Sequence, residues 1–502
     1  MNEKKYILAI DQGTSSTKTI IFDEQGLVIA RASEPLKTNY LSDGFVEQDA
    51  LGIFENVLSS VKKCIEQFIN NGGDLTSMTC CGISNQRETF VVWNGKGKPL
   101  HNAVVWQCKR SVQVCERLKE EGLEDYIRSV TGLIIDPYFS ASKLIWLKEN
   151  NESIKKAISE NDLYFGTIDT WLLYQLTDGK NYVSDYTNAS RTMMFNLKTL
   201  QWDMKLIERI GLSGICLPQL KSSSADFGQT DFKGLLPSAI NINAMIGDSH
   251  AAAFGEGCFE TGTAKATMGT GCSVLMNIGN EVKLSSNGMV TTICWSTEDA
   301  IAYALEGVIV SSGATVEWLK TELQLFSDNM ICEAMAMSVN DNDGVYLVPA
   351  FSGLGSPHWN MTVKASINGL SFSSNKNHIA RAALESIAYQ IKDVIAAMEQ
   401  DTNIELQMLM ADGGITSNKF VMQFLTDLLQ KNVISIGMPD VSALGAAYLA
   451  GLKSKVFKNI EQLKTLNKNR TILSPAMNTG IENYYRGWKK AVSKLVEQHN
   501  EN

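Results

Sequence analysis

The stretch Tyr6-Ile-Leu-Ala-Ile-Asp-Gln-Gly-Thr-Ser-Ser-Thr-Lys-Thr-Ile-Ile-Phe22 decides the fold class of this chain. Its two apolar runs, 6–10 and 19–22, predict buried strands, and the Gly- and Ser-rich segment between them predicts a tight turn. The segment Asp23-Glu-Gln-Gly26 predicts a second turn, with a third strand starting after it. The sequence therefore predicts an opening three-stranded meander, with Asp11 at its first turn.

The rest of the chain alternates between strand and helix patterns. Short apolar runs predict further strands at 78–83, 90–93, 103–106 and 408–410. Apolar stripes with helical spacing predict helices over 379–398 and 420–429, the second capped by Ser417 or Asn418. The Lys- and Asn-rich stretch 456–502 is expected to be a solvated helical tail. This alternation favours the α/β class.

The composition is that of a globular protein with two or three domains. The chain has 502 residues, of which 44% are hydrophobic, and its 45 Lys+Arg against 54 Asp+Glu give a net charge of −9. This acidic balance argues against nucleic-acid and anionic-membrane partners, and no apolar run is long enough to predict membrane insertion. Ten cysteines without zinc-ligand spacing favour reduced thiols, and no signal-peptide core follows the N-terminus. We therefore expect a cytoplasmic protein.

A second turn rich in Gly and Thr, Met268-Gly-Thr-Gly-Cys-Ser273, resembles the first turn. Gly13 and Gly269 are 256 residues apart, which is about half the chain. A duplicated α/β domain, with the two turns facing each other across a cleft, would explain this spacing. Chance recurrence of a common turn sequence is the alternative.

These turns are candidate phosphate sites. The chain has neither the P-loop motif nor GxGxxG after a strand, but successive backbone N–H groups in a turn also bind anions. Side-chain donors are expected there from Thr14, Ser15, Ser16, Lys18 and Thr270. Asp11 is expected to hold Mg²⁺ directly or through water, because hard cations prefer carboxylate and water oxygens. The loop Asp412-Gly-Gly-Ile-Thr-Ser-Asn418 could approach a nucleoside closely, or be only a tight turn.

Asp248, in Ile246-Gly-Asp-Ser-His250, is the candidate general base. A carboxylate between a strand end and a helix start suits that role, and a helix N-cap is the alternative. His250 is expected to be packed or solvated, because no second ligand residue lies nearby in sequence. Four more side chains have a structural interpretation besides a functional one. Arg87 and Glu88 would be a solvated loop pair, and Trp106 and Tyr138 would be core aromatic residues.

In this order the motifs resemble those of the FGGY carbohydrate kinases, most of all the members that phosphorylate glycerol. The resemblance runs in register from about residue 5 to 452 and includes Ala9-Ile-Asp-Gln-Gly-Thr14, Ser84-Asn-Gln-Arg-Glu-Thr89, Asp185-Tyr-Thr-Asn-Ala-Ser-Arg191, Gly269-Thr-Gly271, Ala304-Leu-Glu-Gly307 and Asp412-Gly-Gly414. It implies two ribonuclease-H-like domains of the actin and sugar-kinase ATPase superfamily around a central cleft. Residues 1–253 would form the polyol and phosphate side, and residues 254–502 the adenosine side.

The resemblance also implies ATP, Mg²⁺ and phosphorylation of a polyol hydroxyl, glycerol first of all. It makes Asp248 the catalytic base and Asp11 the carboxylate associated with magnesium. The remaining positions implied are Thr14, Ser15, Ser16, Lys18 and Thr270 at the phosphates, Gly313, Glu317, Gly414 and Asn418 at the adenosine, and Arg87, Glu88, Trp106, Tyr138 and Asp248 at the acceptor. A small polyol or sugar is the expected partner, and a homodimer or homotetramer the expected assembly.

Two departures from the family pattern bear on the acceptor. Ser249 stands where these kinases usually carry Gln, and Ser273 where they usually carry Phe. Both leave a smaller, hydroxyl-bearing side chain, so a longer polyol or a ketose (erythritol, threitol or a xylulose-like sugar) is the alternative acceptor. Glu317 stands where Gln is frequent, which bears on the adenosine contact. A regulatory or cytoskeletal nucleotide-binding protein without transfer activity is a third hypothesis, disfavoured by the acceptor residues.

Overall fold

The computed structural model describes residues 4–466, 470–476 and 480–500. The strands up to residue 247 are β1 (Tyr6–Gln12), β2 (Ser16–Asp23), β3 (Val28–Pro35), β4 (Asn39–Tyr40), β5 (Val46–Gln48), β6 (Met78–Asn85), β7 (Phe90–Trp93), β8 (Ala103–Val104), β9 (Leu163–Thr167), β10 (Val183–Asp185), β11 (Phe195–Asn196), β12 (Gln201–Trp202), β13 (Ile215–Cys216), β14 (Gln219–Lys221), β15 (Gln229–Thr230) and β16 (Ile240–Gly247). The later strands are β17 (Thr263–Met268), β18 (Cys272–Gly279), β19 (Val290–Ser296), β20 (Ile301–Ile309), β21 (Tyr346–Val348), β22 (Ser366–Asn368), β23 (Met408–Asp412), β24 (Val433–Ser435) and β25 (Thr471–Leu473).

Helices alternate with these strands. They are α1 (Ala50–Asn70), α2 (Val112–Glu120), α3 (Glu124–Thr131), α4 (Ser140–Asn150), α5 (Glu152–Ser159), α6 (Ile168–Leu176), α7 (Tyr186–Ala189), α8 (Met204–Arg209), α9 (Asp248–Glu256), α10 (Gly313–Thr321), α11 (Asn329–Met337), α12 (Lys376–Thr402), α13 (Lys419–Leu429), α14 (Val441–Lys453), α15 (Ile460–Lys464) and α16 (Ile481–Asn500). Short 3-10 helices span Ser42–Gly44, Leu75–Ser77 and Gly414–Ser417. Within the described ranges, no helix combines the length and the apolar character that crossing a bilayer requires.

The first sheet contains the predicted meander. Its strand order is β15-β16-β6-β1-β2-β3, with β1 antiparallel to β2 and parallel to β6. The turn between β1 and β2 is closed by the Gly13 N–H, which donates to the Ser16 carbonyl at 3.0 Å. A separate six-stranded sheet, β13-β9-β7-β8-β5-β4, flanks it. The meander predicted from the opening stretch is confirmed.

The second main sheet repeats this topology. Its order is β19-β20-β18-β17-β23-β24-β25, and β17 is antiparallel to β18 and parallel to β23. The β17–β18 turn holds Gly269, whose N–H donates to the Gly271 carbonyl at 2.9 Å. Thus β17, β18, β20, β23 and β24 correspond to β1, β2, β3, β6 and β16. The same α/β arrangement occurs twice, as the two similar turns predicted.

Helices α9 and α14 join the two main sheets in one hydrophobic core. Ile7 of β1 and Leu444 of α14 are both fully buried members of that cluster. The helices approach so closely that a Cβ on Gly445 would lie 1.8 Å from the Ala251 carbonyl oxygen. Only a residue without a side chain fits such a contact. This packing fixes the helix whose first residue is Asp248.

The prediction of a solvated tail over 456–502 is wrong for the described residues there. Strand β25 extends the second sheet, and α16 buries Tyr485 and Trp488. Their hydroxyl and indole N–H groups each donate to the Asp393 carboxylate at 2.7 Å. The apolar residues of α16 recur at helical spacing, and the many Lys and Asn residues of the stretch obscured this stripe.

Candidate active site

Asp248 presents a carboxylate at the start of α9, directly after β16. Gly247 occupies the N-cap position, so the capping alternative for Asp248 is wrong. Its Oδ1 accepts from the Ser249 N–H at 2.6 Å and from Arg87 Nε at 3.2 Å, and its side chain is 38% exposed. The helix dipole stabilises an anion at this position. The carboxylate therefore lies where a helix N-terminus favours negative charge, and it can reach a ligand.

Arg87 and Glu88 are buried, so the alternative of a solvated loop pair is wrong. Arg87 Nη1 and Nη2 donate to Glu306 Oε2 and Oε1 at 3.0 and 2.9 Å, and Glu88 accepts from Arg191 Nε at 2.6 Å. Arg191 Nη1 lies 2.7 Å from Glu306 Oε2. We call these four residues the Glu306 network. Burial raises the pKa of Glu306, but the charges of Arg191 and Arg87 together lower it by more than burial raises it. The pKa therefore lies below its ordinary value, and the carboxylate stays ionised.

The backbone at Glu88 is strained. Its φ is 60°, in the left-handed region that residues other than Gly rarely adopt. Its carbonyl accepts from the Ser140 hydroxyl at 2.8 Å. Strain of about 1–3 kcal/mol at one residue persists only where its surroundings enforce it, and such residues cluster at functional sites.

Trp106 and Tyr138 are half-buried and meet edge to face, with ring centroids 5.5 Å apart. Strand β8 ends at Val104, two residues earlier than predicted, which leaves Trp106 in the following loop. Its indole N–H donates to the Thr14 hydroxyl at 2.9 Å. The Tyr138 loop is held by the buried Lys143, whose ammonium donates to the carbonyls of residues 137 and 138 at 2.7 Å each. Burial lowers the pKa of Lys143 to about 8.

His250 is packed, one of the two environments expected for it. It is fully buried, and its Nε2 lies 3.4 Å from the Thr292 hydroxyl. Burial, followed by the charge of Arg87, lowers its pKa well below the ordinary value, so the imidazole is neutral.

The two Gly-containing turns expose hydroxyls, as a phosphate site requires. Ser15 and Thr270 are exposed, while Thr14 and Ser16 are half-buried. Lys18 does not project freely from β2, because its Nζ lies 3.2 Å from Asp440 Oδ1. Asp440 is buried just before α14 and also pairs with Arg31 at 3.1 Å. One carboxylate of the second half of the chain thus holds two cations of the first.

Asp11, at the end of β1, suits a cation that is also held by other ligands. Its Oδ1 accepts from the Ser84 hydroxyl at 3.2 Å. Burial, followed by the charge of Asp248, raises its pKa to about 6. A divalent cation would relieve this repulsion, but the described residues contain no group of three or more possible metal-ligating side chains. Asp11 therefore fits Mg²⁺ whose remaining ligands are phosphate and water oxygens.

The adenosine-side positions differ in how closely they join the phosphate turns. The Gly313 N–H donates to the Gly269 carbonyl at 2.9 Å, so the start of α10 is bonded to the second turn. Gly414 lies in open space, and Asn418 caps α13 by accepting from the Val421 N–H at 2.9 Å. Glu317 is exposed and pairs with Lys320 at 3.3 Å. A contact between Glu317 and nucleotide would compete with that pair.

Ser249 and Ser273 both bond to charged groups of the protein. Ser249 Oγ accepts from the buried Lys265 Nζ at 3.1 Å, and the Ser273 hydroxyl donates to Glu306 Oε1 at 3.0 Å. Sequence reasoning missed four residues that the structure brings to this region, namely Arg191, Lys265, Glu306 and Asp440. A charged residue inside the apolar run 301–309 was a signal for Glu306, although it did not identify its partners.

Comparison with known proteins gives full-length similarity to one family of enzymes. The model for the FGGY family of carbohydrate kinases, N-terminal domain, matches residues 6–255, and the C-terminal domain model of that family matches residues 264–454. The chain is 42% identical over 505 residues to a glycerol kinase of Enterobacter sp. (strain 638), with 100% of both chains covered. It is 43% identical over 507 residues to a glycerol kinase of Escherichia coli (strain K12 / DH10B), again covering 100% of both.

A solved structure agrees with these sequence relatives. The Plasmodium falciparum glycerol kinase, crystallised with ADP, superposes with a TM-score of 0.92 at 34% identity, covering 98% of each chain. Similarity therefore extends over both α/β halves of the chain.

Proposed function

Because this chain belongs to the FGGY family of carbohydrate kinases, we propose that it transfers the γ-phosphoryl group of ATP to a hydroxyl of glycerol, forming glycerol 3-phosphate. The observation that carries this proposal is the buried Arg87-Glu88 pair beside the partly exposed Asp248 carboxylate. Relatives named glycerol kinase that match over the whole chain support the choice of acceptor.

Arg87, Glu88, Trp106 and Tyr138 bind the acceptor. Among the described residues, Arg87 uses three of its five N–H donors on Asp248 and Glu306, and the other two can donate to acceptor hydroxyls. Glu88 accepts from a hydroxyl, and the aromatic rings cover the carbon face. Ser249 and Ser273 border this site.

The hydroxyl oxygen of the acceptor bonds to the γ-phosphorus, and Asp248 accepts the proton that this hydroxyl loses. The bond from that phosphorus to the β–γ bridging oxygen breaks, and ADP leaves with the electron pair. Proton transfer of this kind contributes about 10²- to 10⁴-fold to the rate.

The nucleotide lies along the two turns. Its phosphates bind Thr14, Ser15, Ser16, Lys18 and Thr270, and its adenosine binds Gly313, Glu317, Gly414 and Asn418. Asp11 would hold Mg²⁺ together with phosphate and water oxygens, and the ion would offset the negative charge of the β- and γ-phosphates. The exposure of Ser15 and Thr270 and the raised pKa of Asp11 support this arrangement.

The longer polyol or ketose acceptor has less support. Ser249 and Ser273 are the residues that favour it, but the Ser249 hydroxyl accepts from Lys265 and the Ser273 hydroxyl donates to Glu306. Neither hydroxyl is therefore simply an added contact for a larger substrate. A nucleotide-binding protein without transfer activity is disfavoured by the family and by the retained acceptor residues.

The proposal includes a division into domains 1–253 and 254–502, a cytoplasmic location and a homodimer or homotetramer. The free thiols of all ten cysteines support a reducing compartment. Light scattering of the purified protein tests the assembly.

The choice of acceptor is tested by measuring ADP release from ATP in the presence of Mg²⁺. The acceptors compared are glycerol, dihydroxyacetone, erythritol, threitol, xylitol, ribulose and xylulose. We expect kcat/KM for glycerol to exceed that for each other acceptor by at least about 10-fold, the discrimination that one methylene in a binding pocket provides. A higher kcat/KM for a longer acceptor would refute glycerol as the substrate while retaining the kinase.

A further inference from the structure

We propose that the Glu306–Arg191 ion pair is a positioning device for the acceptor site, which it serves without touching the acceptor. The inference rests on the proposed function, because it concerns how Arg87, Glu88 and Tyr138 are held for a polyol. We call these three residues the acceptor clamp.

One ion pair contacts the whole acceptor clamp. Glu306 binds Arg87 through both carboxylate oxygens, Arg191 donates to Glu88 at 2.6 Å, and the Arg191 guanidinium carbon lies 5.7 Å from the Tyr138 ring centroid. A bidentate pairing fixes the plane of a guanidinium as well as its position. The orientation of the two remaining Arg87 donors is therefore set by Glu306.

Glu306 also prevents Arg87 from forming a bidentate pair with Asp248, the proposed base. Arg87 Nε already lies 3.2 Å from Asp248 Oδ1. Without the charge of Glu306, the fork of Arg87 would be free to turn toward Asp248, the carboxylate that its Nε already contacts. A bidentate pair with Asp248 would occupy the oxygens that must accept the hydroxyl proton. Glu306 thus prevents one part of the site from blocking another.

The device couples the two halves of the chain. Glu306 lies on β20, within the C-terminal domain match, whereas Arg87 and Arg191 lie within the N-terminal domain match. The clamp therefore has its geometry only when the two sheets hold their mutual position. Ser273, on the neighbouring strand β18, adds a hydrogen bond to the Glu306 oxygen that binds Arg87 Nη2.

Stability alone does not account for these buried charges. Removing two cations and two anions from water costs free energy that their attraction often does not recover, and apolar replacements are frequently as stable. All four side chains of the Glu306 network are less than one-tenth exposed. A role in orienting the acceptor clamp gives a reason for this arrangement.

The test replaces Glu306 by Gln, which keeps the shape and removes the charge. We expect kcat/KM for glycerol to fall about 100-fold, the effect of misplacing a substrate-orienting group. The acceptor KM should rise and kcat should fall, while the Kd of ADP from calorimetry stays within about threefold of the wild-type value, a small change on the affinity scale.

The matched control is Glu385→Gln, because Glu385 is an equally buried carboxylate paired with Arg381 at 2.7 Å on α12. That variant should lose thermal stability and keep the acceptor KM.

Glu306→Asp provides a second test if the Gln variant does not fold. It keeps the charge between the two arginines but is one methylene too short to maintain both contacts, so the acceptor KM should again rise. A folded Glu306 variant with wild-type kcat and acceptor KM would overturn the inference. The proposed function fails separately, if the wild-type enzyme phosphorylates no polyol. If another acceptor is preferred, the same variants are measured with that acceptor.

Discussion

At the scale of single residues, Asp248 has the exposure and orientation of a general base, since it lies at a helix N-terminus with a partly exposed carboxylate. Asp248→Asn keeps the side-chain shape and removes the proton acceptor. We expect kcat to fall at least about 10²-fold, with ADP binding by calorimetry nearly unchanged. The exposed Asp299→Asn should behave as wild type. Normal turnover in the Asp248 variant would remove Asp248 from its proposed role.

Asp11 should make the free energy of unfolding decrease as pH rises. Its pKa is about 6 in the folded protein against 3.8 ordinarily, because of burial and the charge of Asp248. The folded state therefore binds more protons between these values, and the free energy of unfolding decreases as pH rises through them. Asp11→Asn removes this penalty.

Thermal unfolding without nucleotide or Mg²⁺ measures this effect. The Tm advantage of Asp11→Asn over wild type should be largest above pH ~7 and shrink as pH falls through the window set by the two pKa values. An advantage of constant size across that range would contradict the assigned cause. The exposed Asp299→Asn serves again as the control.

At the scale of elements, α16 should contribute to stability through Trp488. This side chain is 1% exposed, donates to Asp393 and stacks on Tyr389 with centroids 5.3 Å apart. Trp488→Ala should lower the free energy of unfolding by about 3–5 kcal/mol, the usual cost of truncating a buried aromatic residue. Urea denaturation measures the loss. Lys490→Ala, on the exposed face of α16, should change it by less than about 0.5 kcal/mol, and equal effects of both substitutions would contradict the docking.

The elements predicted correctly were those with a clear local pattern. Continuous apolar runs gave β1, β2 and β7, because strands buried on both faces are apolar throughout, and the stripe at 379–398 gave α12, because burial of one helix face imposes a repeat on the sequence. The sequence did not predict the docking of α16, because its partners are distant in sequence. Tyr485 and Asp393, for example, are separated by 92 positions. Local composition carries no information on such a contact.

The same limit applies to the candidate site. Asp248, Arg87 and Glu88 were identifiable from motifs, whereas the partner that orients Arg87 lies 219 positions away on another sheet. Pairings at that separation follow from the fold of the whole chain. A single sequence indicates only that a charge inside an apolar strand, such as Glu306, must have a partner.

At the scale of the whole molecule, the ion pair of Lys18 with Asp440 connects the first phosphate turn to the second half of the chain. Asp440 is almost fully buried and pairs with both Lys18 and Arg31. Its charge also contributes to the raised pKa of Asp11. Nucleotide phosphates entering this region must therefore compete with Asp440 for Lys18 and tolerate its negative charge.

Asp440→Asn should strengthen nucleotide binding while weakening the junction of the two halves. The loss of one screened negative charge should lower the Kd of ADP by about 3- to 10-fold, equivalent to about 0.6–1.4 kcal/mol, and high salt should reduce the gain. Tm should fall, because Lys18 and Arg31 lose their shared partner. Asp427→Asn removes another buried carboxylate of the second half, and it should lower Tm without changing the Kd of ADP.

In a Lys18→Met background the gain from Asp440→Asn should shrink, since the released cation is then missing. A gain of unchanged size there would assign the effect to Arg31 or to the general field, and no gain in either background would show that Asp440 does not compete with phosphate for Lys18.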